Sequence, residues 1–292
     1  LLANIDLTNR CNLSCDFCFV NAQACGYVYE PTFDQVMAML TLLREERPVP
    51  TPAVQFSGGE PTLREDLIEI IRKAKELGFK QVQIATNGVK IARDPAYAKA
   101  LKEAGLSTVY LHFDGVTRET DPQIGRHREA VKVLDSVHLG VVLVPTIIKG
   151  RNDQEVGDII RFAAEHISVV RGVNFQPVAF TGAASDDDVR NARITIPELL
   201  ERIESQTSGV LRKEDFYPVP CVVPISDLVE AYTGKPQIRF TAHQHCGAAT
   251  YVFVNEKGMV PINRMVDVDR FFAAVKKMAE NLKKGGQINK YL

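Results

Sequence analysis

Residues 53–78 read AVQFSGGEPTLREDLIEIIRKAKELG. The stretch opens on a short apolar run, 53–58, that suits a strand, and passes through two glycines, Glu60 and Pro61. It then shows the apolar period of a helix over 64–77. Thr62 is placed to cap that helix, Glu65 three residues on completes a capping box, and Gly78 ends it. This strand–loop–helix unit recurs along the chain. Further strands are expected at 3–8, 81–86, 108–114, 141–148 and 173–179, and helices at 33–46, 94–104, 126–137, 153–166 and 195–206. In the 94–104 helix, Asp94 is the cap, Pro95 fills the first turn and Gly105 is the stop.

Six β–α alternations imply a parallel sheet with right-handed crossovers, either a partial (βα)6 barrel or an open doubly wound sheet. In both, functional groups gather at the strand C-termini. The polar residues of this sequence fall there. Asn9 and Cys11 follow the first strand, Ser57–Glu60 the second, Thr86 and Asn87 the third, and Asp114 the fourth. Gln176 lies within the sixth. After residue 207 the rhythm breaks, giving a first domain at 1–207 and a second at 208–292. The latter holds a Pro-rich stretch, RKEDFYPVPCVVP, a short helix in ISDLVEAYTG, and a hairpin of 251–254 with 259–262 turning at NEKG. A last helix is expected at 267–284.

The chain has 292 residues, 45% hydrophobic and 24% charged, enough to bury a sizeable core. Its net charge of −1 gives no reason to expect a nucleic-acid partner. No apolar run reaches the roughly 18–20 residues of a membrane span, and the opening LLANIDLTNR lacks the pattern of a signal peptide. A cytoplasmic protein is expected.

Four of the six cysteines crowd into residues 6–25, DLTNRCNLSCDFCFVNAQAC. Thiolates are soft ligands for iron–sulfur clusters, zinc or copper(I). Three readings compete for Cys11, Cys15 and Cys18: buried or redox thiols, a structural zinc site, or three ligands of a cubane iron–sulfur cluster. Zinc takes four ligands, usually as paired cysteines, and the x3–x2 spacing does not match such a knuckle. The spacing, and its place on the loop leaving strand one, favour a cluster with one iron left open.

Cys-x3-Cys-x2-Cys with Phe17 before the last Cys resembles the signature of the radical S-adenosylmethionine (SAM) superfamily. SGGEP at 57–61, with Gly58, Gly59 and Glu60, is similar to that family's Gly-Gly-Glu-Pro loop. The resemblance covers roughly residues 3–207 and implies an α/β partial (βα)6 barrel. It implies a 4Fe–4S cluster on Cys11, Cys15 and Cys18, SAM on the open iron, and reductive cleavage of SAM to a 5′-deoxyadenosyl radical. The backbone of the glycine loop and the Glu60 carboxylate would bind the SAM amino group. Thr86 and Asn87, in ATNG, would contact SAM. Asp114, in HFDG, would lie near the ribose or the substrate, with Thr146 and Gln176 facing the same cavity. An external one-electron reductant of ferredoxin or flavodoxin type is implied.

Cys25, Cys221 and Cys246 remain. Cys221 sits in an irregular Pro-rich segment and Cys246 in a Gly/Ala loop before the hairpin, so neither lies on a regular apolar face. A Cys-Gly loop followed by a hairpin resembles the auxiliary-cluster extensions of radical SAM enzymes. The three thiols are therefore expected to hold a second, auxiliary 4Fe–4S cluster. Its last ligand would be His243 or His245, a residue outside this chain, or a substrate. The Cys-x2-Cys-x5-Cys run of the SPASM branch is missing.

Within the superfamily, CFVNAQACGYVYEPT, VVLVPTIIKGRNDQEVGDIIRFA, FQPVAFTGAAS and HQHCGAATYVFVNEKGMVPINRMVDVDRF resemble the archaeal tetraether lipid synthases. That likeness implies carbon–carbon bond formation between isoprenoid lipid chains, a lipid substrate and peripheral membrane contact. Two other readings stand beside it. One is a radical SAM enzyme acting on a small molecule or peptide, like the molybdopterin-precursor synthases. The other is a non-enzymatic iron–sulfur electron carrier, against which the glycine loop argues.

Overall fold

The computed structural model describes residues 2–18, 20, 26–181, 186–239, 243 and 245–284. They divide into two compact units, residues 2–46 with 50–202, and residues 47–49 with 203–284.

The first unit is built on a six-stranded sheet. Its strands are β1 (Leu2–Asp6), β2 (Ala53–Ser57), β3 (Gln81–Thr86), β4 (Thr108–His112) and β5 (Val141–Val144). A short β6 (Thr146–Ile147) follows, and then β7 (Val170–Val173) and β8 (Gln176–Pro177). The sheet order is β1-β2-β3-β4-β5-β7, all parallel, while β6 pairs separately with β8. Each new strand is laid on the same edge, and the order never reverses. This excludes the doubly wound arrangement, which needs a switch point, and gives the winding of a partial barrel. The helices are α1 (Phe33–Glu45), α2 (Leu67–Glu76), α3 (Val89–Arg93), α4 (Pro95–Glu103), α5 (Ile124–Ser136), α6 (Val156–Glu165) and α7 (Asp186–Asn191), and the division between the units falls within α8 (Ile196–Gln206).

The sheet's two faces differ in chemistry. Ile5, Val54, Phe56, Ile84, Val109, Leu111, Val141 and Leu143 are buried in one core with Val36 and Leu40 of α1 and Leu67, Ile70 and Ile71 of α2. Period-two alternation then puts Asn4, Asp6, Gln55, Ser57, Thr108, Tyr110 and His112 on the opposite face. The capping of α4 follows the sequence, with Asp94 accepting from Tyr97 N.

Two expectations change. The α2 helix starts at Leu67 rather than near residue 64, and Thr62 does not cap it. Thr62 sits in a single 3-10 turn, Pro61–Leu63, where its amide and hydroxyl both bond Glu60 Oε1, at 3.0 and 2.6 Å. A buried carboxylate has outcompeted the helix end for that hydroxyl. The sixth strand of the sheet lies at Val170–Val173, and the expected 173–179 run contributes only its first residue to it. The rest diverges into the small β6–β8 pair, Thr146 opposite Gln176.

The second unit holds β9 (Tyr217–Pro218), α9 (Val223–Thr233), β10 (Ala248–Ala249), β11 (Val252–Asn255), β12 (Gly258–Pro261) and α10 (Val268–Lys283). The β11–β12 hairpin and α10 match the sequence reading, and Asp267 caps α10 by accepting from Arg270 N at 3.0 Å. Asp215, 2% exposed, ties the unit together by accepting from Arg212 N, Asn263 Nδ2 and Arg264 Nη2 at 2.7, 2.8 and 3.2 Å. Among the described residues, no helix is long and apolar enough to cross a membrane.

Candidate functional site

The cysteine loop leaves β1 and is pinned at its base. Asn9 donates from Nδ2 to Tyr27 O at 2.8 Å and accepts from Tyr29 N at 2.9 Å. Thr8 Oγ1 and Arg10 Nε both donate to Glu30 Oε1, each at 2.6 Å. The chain that leaves the strand is thus stapled to the chain that returns, fixing where the cysteines between them stand. Inside the loop, Cys18 N bonds Cys15 O at 3.3 Å, and Cys11 Sγ accepts from Leu13 N at 3.5 Å.

The Gly-Gly-Glu loop after β2 lies directly against this base. Gly59 N donates to Thr8 O and Glu60 N to Arg10 O, both at 2.7 Å. A Cβ on Gly58 would meet Thr8 O at 2.2 Å, and one on Gly59 would meet Arg10 O at 2.2 Å. The glycines therefore permit a backbone-to-backbone approach within the protein.

Glu60 is 1% exposed. Besides the two bonds from Thr62, its carboxylate accepts from Thr86 Oγ1 at 2.7 Å and from Asn87 N at 2.8 Å. Burial outweighs these hydrogen bonds and raises its pKa above the ordinary glutamate value. Glu60, Thr86 and Asn87, each expected to contact SAM, are joined through the Glu60 carboxylate in a knot that locks the β2 and β3 ends together. Asn87 extends the knot to the cysteine loop, donating from Nδ2 to Asn12 Oδ1 at 2.8 Å.

A cavity of about 210 Å³ opens beside the loop, lined by Leu13–Phe17, His112, Asp114, Thr120–Gln123, Thr146, Ile148 and Arg151. Cys15, Phe17, Asp114 and Thr146 are thus brought together as expected. Gln176 pairs with Thr146 but is not among the lining residues. Asp114 accepts from Thr146 N at 2.8 Å and holds His112 Nε2 at 3.0 Å. Burial opposes protonation of His112, but Asp114, by charge and hydrogen bond, and Asp121 outweigh it and raise the pKa. Behind this pair lies a second, fully buried one, His127 Nδ1 to Asp121 Oδ2 at 2.6 Å. The two imidazole rings meet edge to face at 5.7 Å. Arg151 pairs with Asp16 at 3.1 Å and lies over the Phe17 ring at 5.4 Å, tying the cysteine loop to the segment after β6. Sequence reasoning missed His112 and Arg151. His112 carried a usable signal, because it lies two residues before Asp114 in a strand and so shares its face.

Cys11 and Cys15 respond to burial and to neighbouring charge. Partial burial, then the charges of Cys11, Cys18, Asp114 and Asp16, push the Cys15 thiol up to about 11. Burial likewise raises Cys11, with Glu60 and Cys18 adding to the effect. A set of thiolates that repel one another fits a bound cationic centre, and their softness suits an iron–sulfur cluster, zinc or copper(I). No three His, Cys, Asp or Glu side chains among the described residues converge on a single ion. A cubane does not require this, since each thiolate takes its own iron. In the metal-free protein, alkylation of Cys15 by iodoacetamide should keep accelerating as pH rises through 9 toward 11, because only the thiolate reacts. Rates that level off by about pH 10 in peptide-mapped alkylation would show that the thiol is unperturbed.

Of the second cysteine set, Cys25 lies outside the described residues. Cys221 and Cys246 belong to the second unit. There β9 and β10 pair Pro218 with Ala248, and Val219 N bonds Gly247 O at 3.2 Å, so the register brings the segments carrying the two thiols alongside each other. Burial, then Asp269, raises Cys221. Beside Cys246, His245 N bonds His243 Nδ1 at 3.2 Å and Cys246 N bonds His243 O at 2.8 Å.

Residues 5–163 match the radical SAM superfamily. The chain is 50% identical, over 97% of its length, to the 7,8-dihydro-6-hydroxymethylpterin dimethyltransferase of Methanocaldococcus jannaschii, and spans 57% of that protein. It is 34% identical, over 60% of its length, to the GTP 3′,8-cyclase of Limosilactobacillus fermentum, covering 54% of that enzyme. Among solved structures, methylornithine synthase matches with a TM-score of 0.48 at 14% identity, covering 71% of this chain and 62% of that one. With the family matched over the strands that carry the cysteine loop, the glycine loop and the cavity, the chain belongs to the radical SAM superfamily.

Proposed function

We propose that the chain is the radical-generating part of an enzyme that acts on a small heteroaromatic molecule, a reduced pterin. The observation that carries the reading is the 50% identity, across nearly the whole chain, to a protein named for dimethyl transfer to a dihydropterin. The chain spans little more than half of that relative, so the complete activity is part of the proposal. The named relatives favour a small molecule over the joining of isoprenoid lipid chains, so the likeness to the tetraether synthases is not carried forward.

Cys11, Cys15 and Cys18 would hold a 4Fe–4S cluster. With SAM bound and an external one-electron reductant, that cluster supplies a 5′-deoxyadenosyl radical for hydrogen abstraction. The chain's own residues do the rest. The Glu60 knot and the stapled loop base fix the cysteines against the strand ends. Phe17 and Ile148 give the cavity an apolar wall, while Asp114, Thr146 and His112 present polar atoms to a bound ligand. In the neutral His112 ring bonded to Asp114 through Nε2, the other nitrogen is free to accept a proton at the cavity wall. Cys221 and Cys246, with Cys25 from the sequence, are the basis for a second cluster.

The test is anaerobic reconstitution with iron and sulfide counting, followed by incubation with reductant, 7,8-dihydro-6-hydroxymethylpterin and excess SAM, supplied both as radical precursor and, in further molecules, as methyl donor. About eight irons per chain, deoxyadenosine, and a pterin heavier by methyl groups are expected. Deoxyadenosine with an unchanged pterin would remove the pterin. No deoxyadenosine from a filled cluster would return the chain to the electron-carrier reading.

A further inference from the structure

The face of the sheet opposite the buried core carries a row of polar side chains in cross-strand register. Asn4 lies opposite Gln55, Gln55 opposite Gln83, and Gln83 opposite Thr108. The side chains are joined as well, with Gln55 Nε2 to Asn4 Oδ1 at 3.2 Å and Gln83 Nε2 to Gln55 Oε1 at 2.8 Å. One layer nearer the strand C-termini, Asp6 lies opposite Ser57. Asn4 Nδ2 donates to Asp6 Oδ1 at 3.0 Å, and Ser57 Oγ donates to the same oxygen. In the next layer up, β4 brings His112 to the cavity. The usual interior of such a barrel is packed with branched apolar side chains, so a hydrogen-bonded polar row on this face calls for a polar occupant.

Asp6 is the distinctive member. Its side chain is exposed, Oδ1 is fixed by two donors, and Oδ2 accepts no hydrogen bond from the described residues. No cation pairs with it among them. A carboxylate held this way offers Oδ2 as an open acceptor to one N–H of a planar N–H pair. The pterin ring carries such an edge, a 2-amino group beside a ring N–H, and the guanine ring of GTP carries the same one. The dihydropterin and GTP in the relatives' names share this feature and little else.

We propose that Asp6, steadied by Asn4 and Ser57, is the specificity residue of this enzyme, reading the amino-pyrimidinone edge of its substrate on the inner face of the sheet. The inference rests on the pterin reading above and assigns the contact that would select it. Asp6→Asn keeps the shape but turns an acceptor into a donor that opposes the substrate's own N–H groups. As an exposed change it leaves folding intact, which a thermal melt checks.

The experiment measures the dissociation constant of 7,8-dihydro-6-hydroxymethylpterin, by its fluorescence, on cluster-loaded wild type and Asp6→Asn. The same is done with the analogue lacking the 2-amino group. The substitution should weaken the parent pterin at least tenfold. Removing the amino group should weaken binding to wild type, yet cost little further in Asp6→Asn, the non-additivity expected of a direct contact. In turnover the loss should fall on KM for the pterin rather than on kcat. Equal affinities for the parent in both proteins, or additive losses in the cycle, would overturn the assignment and leave the pterin reading standing. A wild type that binds no pterin would overturn both.

Discussion

Replacing Cys15 with alanine is expected to abolish deoxyadenosine formation and to empty the first cluster site of iron. Cys15 is the middle ligand of the three, and both other thiolates act on it by charge, so it stands at the centre of the proposed cluster site. Two remaining thiolates cannot hold a cubane that needs three, and the cluster would be lost on gel filtration rather than merely altered. Cys15 lies outside regular structure and, though its thiol is partly shielded in the cavity wall, the residue remains largely open to solvent, so the melting curve of the metal-free protein should barely move, within about 0.5 kcal/mol of wild type. That separates loss of cluster from loss of fold. Iron and sulfide content, measured with deoxyadenosine by mass spectrometry, decides it. Wild-type deoxyadenosine from the alanine variant would remove the cluster from this loop. Cys246→Ala provides the contrast, since it should lower the iron count and leave the first cluster's spectrum in place.

The strand–loop–helix rhythm was legible because each unit carries its own punctuation. Asp94 before Pro95, and Gly105 after the helix, do locally what they do in the structure. The start of α2 was not legible for the opposite reason. Thr62 has the spacing of a cap, but its hydroxyl is claimed by Glu60, whose partners Thr86 and Asn87 come from another strand. No local pattern reports such a contact. The sixth strand was misplaced because its middle, Arg171–Gly172, breaks the apolar run that marks a strand, while Phe175–Val178 imitates one. At the site, the cysteine spacing and the glycine loop were plain, and Asp114 and Thr146 reached the cavity. What Glu60 does was not plain. A glutamate after two glycines reads as a ligand for an ammonium, and the four donors that also make it hold the loops together come partly from another strand, out of reach of any local pattern.

The glycine loop allows the second large prediction. Gly59→Ala should destabilise the sheet unit by upwards of about 4 kcal/mol, beyond the range of ordinary single substitutions. The added Cβ would stand 2.2 Å from Arg10 O, 2.6 Å from Arg10 C and 2.8 Å from Asn9 O, all backbone atoms that cannot swing aside as a side chain would. Nor can the two chains separate cheaply. Gly59 N to Thr8 O and Glu60 N to Arg10 O hold them at 2.7 Å on either side of the clash. Opening the gap would also strip donors from a segment whose neighbours Thr8, Asn9 and Arg10 staple the cysteine loop. The variant therefore faces two outcomes, unfolding at lower urea or a loop base sprung loose with poor iron retention. Gly125→Ala is the internal control. It lies in α5 with nothing within 4 Å of its Cβ position, and should gain about 0.5–1 kcal/mol as glycine leaves a helix. Urea midpoints for the two variants should therefore move in opposite directions. A Gly59→Ala protein with a wild-type midpoint and full iron content would mean that the cysteine loop does not depend on this close approach.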